Sequence, residues 1–161
     1  LSTSSSSKSA GEILIWPDDG LKTVCETAKF EEALIIWPKM IEICLSWRLK
    51  GFRSVGIAAN QIGSNKAVFV MIPKQRMDRL KIVINPKIVR HGKGIIDSKE
   101  GCMSVPGKQR VIPRFEIIDV EYLNDQNKIV TETLKRTDAV IFQHEFEHLC
   151  GVCGVAGDTQ K

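Results

Sequence analysis

From Lys29 onward, apolar residues recur every three or four positions: Phe30, Leu34, Trp37, Ile41, and then Cys44 or Leu45. This period predicts a helix with one apolar face from about Lys29 to Arg48. Pro38 lies inside it and is expected to kink or split it, because proline lacks a backbone donor and crowds the preceding turn. Gly51 is the stop signal. Ahead of the helix, Pro17 to Gly20 in ILIWPDDGL reads as a turn. After it, the small residues and amide of VGIAANQIGSNK lead into a short apolar strand, Ala67 to Ile72. A second strand near Ile82 to Asn85 is expected to end at Pro86, and a third, Lys87 to Arg90, to meet the turn HGKG. Phe115 to Leu123, then NDQN, then KIVTETL read as an antiparallel hairpin with a four-residue connection. The last element is a helix from about Asp138 through Leu149, with Asp138 as its cap and Gly151 as its stop. The tail VCGVAGDTQK has neither helix nor strand strength, and a truncated or locally disordered end is expected there. Strands between two helices make the fold class α+β.

The length of 161 residues, 43% of them hydrophobic, supports one core, so residues 12–161 are expected to form a single catalytic domain. The start, LSTSSSSKSAG, has no acidic residue and no apolar period, and residues 1–11 read as a disordered leader or cloning remnant, or as the end of an organelle transit segment. Twenty-three basic residues against nineteen acidic ones give a net charge of +4, and they are mixed along the chain. No nucleic-acid partner is therefore expected. The longest apolar run, ALII, is far short of the roughly 20 residues of a membrane helix. Five irregularly spaced cysteines without a signal-peptide pattern argue against a disulfide scaffold and for a reducing compartment, either a bacterial cytoplasm or an organelle.

Two of the three histidines lie in HEFEH, residues 144 to 148. Their spacing of four puts His144 and His148 one turn apart on the same helix face, where both imidazoles can reach one ion. Glu145, beside the first of them, can then act on water polarised by that ion without occupying a coordination position. A catalytic site needs a third protein ligand. Downstream of His148 the only carboxylate is Asp158, so the ligand must come from upstream. Cys102 in EGCMS is the best candidate, because a soft thiolate with two imidazoles suits Zn²⁺ or Fe²⁺. Cys150 and Cys153 read as packing thiols, with a redox pair or a structural metal site as the alternative. Cys25 and Cys44 read as core residues and His91 as a turn residue.

Three segments now resemble the signature motifs of the peptide deformylases: SVGIAANQ at 54 to 61, EGCMS at 100 to 104 and QHEFEH at 143 to 148. ILIWPDDGLKTV resembles the family's opening segment, so the likeness covers about residues 12 to 153. It implies small mixed or antiparallel sheets packed around a C-terminal metal-binding helix. It also implies removal of the N-formyl group from the starting methionine of nascent polypeptides, with release of formate. One divalent ion would serve, Fe²⁺ in the cell and Zn²⁺, Ni²⁺ or Co²⁺ in preparations. In that resemblance Cys102, His144 and His148 hold the ion and Glu145 shuttles the proton. Gln61 and the backbone N–H of Met103 bind the oxygen that becomes negative. Gly56 lets the substrate backbone run close by, Val55, Val140 and Ile141 line the methionine pocket, and Glu100 and Arg114 orient neighbouring groups. The expected partner is an N-formylmethionyl peptide, with at most weak ribosome association, no membrane and no assigned oligomeric state.

Four departures from the family pattern bear on that expectation. Ser54 stands where the first motif usually has glycine, which matters if the position requires positive φ. Met103 replaces leucine, and Glu147 replaces aspartate and adds a methylene, which would pull on His148 if it moved a supporting hydrogen bond. Cys150 and the tail differ from the usual closing segment. Two other readings stay open at this point: a metallopeptidase or other metal-dependent amidase, and an impaired deformylase-like protein that binds metal and peptide.

Overall fold

The computed structural model describes residues 13–157. The leader expected over residues 1–11 and the last four residues of the tail lie outside the described residues. Helix α1 spans Phe30–Leu49, and the Glu32 carboxylate accepts from the Lys29 N–H at 2.8 Å at its start. Its inward face carries buried Ala33, Met40, Ile43 and Cys44, with Trp37 and Trp47 partly covered. Leu34 and Leu45, expected on that face, are instead exposed. The run LIIW is apolar all round, so periodicity alone could not choose a face; packing chose the one with small Ala33 and pliant Met40. Nor does Pro38 split the helix, which is continuous through it. Ala33 and Met40, on either side of it, are both fully buried, so tertiary contacts hold the two halves as one helix despite the lost hydrogen bond.

The strands are β1 (Gly56–Ala58), β2 (Val68–Met71), β3 (Lys81–His91), β4 (Ile95–Cys102), β5 (Val105–Phe115), β6 (Ile117–Leu123) and β7 (Ile129–Lys135). Helix α2 is Thr137–Leu149. Five strands form one sheet in the order β1-β2-β3-β6-β7, with every neighbouring pair antiparallel. Alternate residues serve opposite faces, as the pleat requires. Ile57, Val68, Val70, Ile82 and Ile84 pack with α1, whereas Ala58, Phe69, Met71, Val83 and Ile118 pack with Ala139, Ile141, Phe142 and Leu149 of α2. Each large side chain so buried contributes about 1.5–3 kcal/mol.

Pro86 does not end a strand. β3 runs through it at a register shift between Ile84 and Lys87, where proline costs no ladder bond. Asn85 takes a positive φ of 52°, and its side chain binds both backbone groups of Ala28, at 2.8 and 2.9 Å. The predicted hairpin is β6–β7, joined by residues 124–128 rather than NDQN alone, with Asn124 Oδ1 accepting from the N–H groups of Gln126 and Lys128. The separate two-stranded sheet β4–β5 was not expected, because IIDSKEGC and VPGKQRVIPRF are largely polar and the second carries Pro106 and Pro113. Its strands lie largely exposed, so no apolar run betrays them.

Helix α2 begins one residue before the expected start. Arg136 precedes it at φ 53°, ψ −121° with no side-chain cap, and Asp138 sits inside the first turn instead of capping it. At the other end Gly151 adopts φ +78°, and a Cβ there would stand 2.5 Å from the Lys22 carbonyl oxygen. Beyond it the tail is ordered into a short turn, Gly154–Ala156, against expectation. Cys153 and Val155 are buried, and the Arg110 guanidinium donates to the Gly154 carbonyl at 2.9 Å. The two-stranded sheet supplies the packing that the tail's own sequence lacks. No helix among the described residues is long and apolar enough to cross a membrane.

Candidate metal centre

The final strand residue of β4, Cys102, and two residues of α2, His144 and His148, converge so that one ligand atom from each lies within 4.8 Å of the others. Cys102 Sγ and His148 Nε2 are 3.4 Å apart. The imidazoles, one helical turn apart, meet edge to face with centroids at 5.0 Å. His144 Nδ1 donates to Glu100 Oε1 at 2.8 Å, which fixes the ring and leaves Nε2 for another partner. Asn60 Nδ2 donates to the His148 carbonyl and pins the end of the helix.

The donor set fits a divalent cation. Burial, together with the charges of His144 and Arg114, holds His148 well below its usual pKa, so its imidazole is neutral, the form that ligates. Its buried Nδ1 has no hydrogen-bond partner among the described residues. The hydrogen bond with Cys153 and burial push the Cys102 thiol well up, so holding a cation requires that this proton leave. One thiolate and two imidazoles form a three-ligand set of mixed softness suited to Zn²⁺ or Fe²⁺.

Glu145 lies beside these donors and is buried. Burial raises its pKa to about 7, with His144 opposing the shift, and Oε1 has no hydrogen-bond partner among the described residues. A Cβ at Gly56 would fall 2.7 Å from Glu145 Oε2 and 3.0 Å from the Val70 carbonyl, so the close approach of β1 to α2 requires glycine. Gln61 occupies a short turn, Ala59–Ile62. Its Oε1 accepts from the Ala58 N–H at 2.8 Å, while Nε2 donates to Ser104 Oγ at 3.0 Å and faces Cys102 Sγ at 3.6 Å. Gly56, Gln61, Cys102, Met103, His144 and Glu145 wall one cavity of about 1080 Å³, which Val55, Val140 and Ile141 also line. Every site residue named from the sequence except His148 and Arg114 therefore borders one space, and those two are buried.

Ser54 has ordinary backbone geometry, is buried, and donates its hydroxyl to the Met103 sulfur at 3.7 Å, so serine fits without strain. Arg114 grips Glu100 with two bonds of 2.9 and 2.8 Å and donates to Glu147 at 2.6 Å. Glu147 thus reaches the arginine with its extra methylene and leaves His148 beside Cys102. Burial alone would raise the Glu100 pKa, but the hydrogen bonds of Arg114 and His144 bring it down to about 2.

Three supporting residues carried no assigned role in the sequence reading, and a fourth, Cys153, was read as a packing thiol, with a redox pair or a structural metal site as the alternative. Asn60 and Ser104 lie within recognised motifs, beside residues that did receive roles. Gln143 locks α2 to β5 through both backbone groups of Phe115, at 3.0 and 2.8 Å, and its place in QHEFEH was the available signal. Cys153 touches Cys102 across 51 residues of chain, and no local pattern could have shown it. Cys44 is a core residue, as expected, Cys25 is half-buried, and His91 stacks on Phe115 at 3.7 Å.

The polypeptide deformylase family model matches residues 10–156. A peptide deformylase of Aquifex aeolicus is 45% identical over 101 residues, 61% of this chain and 59% of that protein. Peptide deformylase 3 of Shewanella oneidensis is 31% identical over 140 residues, 87% of this chain and 83% of that protein. The match to the Aquifex relative, like that to peptide deformylase 2 of Nostoc, spans only 59% of the relative's length. Among solved structures, the peptide deformylase of Thermotoga maritima superposes with a TM-score of 0.81 at 32% identity, covering 92% of this chain and 97% of that one. With this agreement in sequence and fold, the chain belongs to the polypeptide deformylase family.

Proposed function

We propose that this protein is a metal-dependent amide hydrolase that removes the N-formyl group from the N-terminal methionine of nascent polypeptides, releasing formate and a free amine. The observation that carries this reading is the convergence of Cys102, His144 and His148 beside buried Glu145 in one cavity. A divalent ion bound by the three donors would supply a Lewis acid that lowers the pKa of water and polarises the formyl carbonyl. Fe²⁺ is the ion proposed for the cell, and Zn²⁺, Ni²⁺ and Co²⁺ are alternatives.

Glu145 accepts a proton from the attacking water and returns it to the departing amine. A pKa of about 7 suits both halves of that transfer near neutrality. Gln61 Nε2 and the Met103 backbone N–H donate to the formyl oxygen as it becomes negative, and losing one such donor typically costs about 3 kcal/mol. Glu100 keeps His144 oriented, and Arg114 keeps Glu100 ionised. Val55, Val140 and Ile141 offer apolar walls for the methionine side chain, and Gly56 lets peptide backbone lie against β1.

The test is formate release from formyl-Met-Ala-Ser by anaerobically prepared, Fe²⁺-loaded protein, beside Glu145→Ala protein of equal metal content. Rapid release by the parent and a large loss in the variant are expected. No release with one ion bound per chain would overturn the substrate assignment.

A further inference from the structure

A second cavity of about 410 Å³ adjoins the first and shares Arg53, Val55, Arg136, Thr137 and Ile141 with it. Its walls carry four cations, Arg53, Lys74, Lys135 and Arg136, against one carboxylate, Asp138. The cations are poorly neutralised. Among the described residues Arg53, Lys74 and Lys135 form no ion pair, and Arg136 reaches Glu116 only at 3.7 Å, with its side chain 83% exposed. With the Gln75 amide turned so that its oxygen faces Arg53, that neutral oxygen accepts from the guanidinium at 3.1 Å.

The backbone here is also unusual. Five non-glycine residues have positive φ among the described residues, and three of them line this cavity: Lys74, Gln75 and Arg136. Such conformations cost free energy and persist only where the surrounding structure over-determines them, which is frequent at ligand sites. Two of the three carry the positive charge.

We infer that this cationic cavity is a specificity subsite for an acidic side chain of the peptide, placed at residues two to four after the formyl group. The inference rests on the deformylase reading above. An extended peptide advances about 3.3 Å per residue, so a chain whose methionine lies against Val55 and Ile141 brings its next residues past the shared wall. Arg53 and Arg136, bordering both cavities, are the residues that select.

The test uses six-residue formyl-Met peptides, amidated at the C-terminus so that no terminal carboxylate competes. One Asp is walked through positions two to four, against Asn or Lys at the same place. At the best position, kcat/KM for Asp is expected to exceed that for Asn by about fivefold, with Lys below Asn, the difference lying in KM and shrinking as salt is raised. In the Arg53→Gln/Arg136→Gly protein the Asp-to-Asn ratio falls to about one. The ratio is the readout, because a general disturbance of the fold would lower all peptides alike. Unformylated, dye-labelled peptides must bind in the same order by fluorescence anisotropy. Equal kcat/KM and equal affinity for Asp, Asn and Lys at all three positions would overturn the inference, as would a preference that survives the double substitution. If no formyl peptide is cleaved but the order of binding holds, the deformylase reading fails and the subsite stands.

Discussion

The two helices solve opposite problems. α1 has 20 residues and is apolar on nearly every side, yet several of its large side chains face outward: Leu34, Ile35, Leu45 and Leu49 are exposed. α2 has 13 residues and buries the polar groups Gln143, Glu145 and His148 within it. α1 contributes core area, and its outward residues have little to lose. On α2, Gln143 is satisfied by Phe115, and His144 by Glu100, while Glu145 Oε1 and His148 Nδ1 are buried without partners among the described residues. A buried polar atom left unsatisfied costs roughly 1–3 kcal/mol, so α2 gives up stability to hold chemistry where α1 secures it.

This contrast predicts that substitutions on α2 change rate more than stability and that those on α1 do the reverse. Glu145→Gln should lower kcat about 10³-fold, equivalent to about 4 kcal/mol, with metal content retained and no fall in Tm, because a buried unpaired charge is removed. A variant keeping a tenth of the parental rate would break the comparison on the side of α2. Met40→Ala, on the buried face of α1, should cost about 3 kcal/mol in urea unfolding while the folded fraction keeps its kcat. Gln61→Ala, off both helices but aimed at the centre, should cost a similar amount in kcat/KM, and about 1–3 kcal/mol in stability as well, because the buried Ala58 N–H loses its acceptor.

The support behind α2 can be tested with acid. Glu100 titrates at about 2 in the fold, below its ordinary value of 4.5, so the stability it provides is complete above pH 4.5 and fades as pH falls toward 2. In the metal-free protein, Glu100→Gln should melt lower than the parent at pH 6, and the gap should close across that window in calorimetry. A gap that stays constant to pH 2 would sink the assignment. The smallest effect is expected on the outer face of α1, where Leu45→Lys should shift unfolding by less than about 0.5 kcal/mol.

Much of the candidate site was legible because its signals are local. HEFEH places two imidazoles on one helix face by its spacing, whatever else the chain does. EGCMS and SVGIAANQ supplied the thiol, the amide and the close-approach glycine by resemblance. The polar hairpin β4–β5 was not legible, since its strands are held by each other and by the tail rather than by an apolar pattern. The ordered turn Gly154–Ala156 escaped for the same reason, and so did the passage of β3 through Pro86, where a bulge absorbs what a local rule forbids.

The sequence by itself determined the helices, most of the central sheet's strands and the types of donor group, because period and spacing are properties of neighbouring residues. Only the tertiary structure decided which face of α1 turns inward, that Arg114 joins Glu100 to Glu147, that Cys153 meets Cys102, and that four cations gather beside the cavity walled by Cys102 and Glu145. Those are contacts between segments far apart in the chain, and packing selects them by burying area and pairing charge, which no short window of sequence contains.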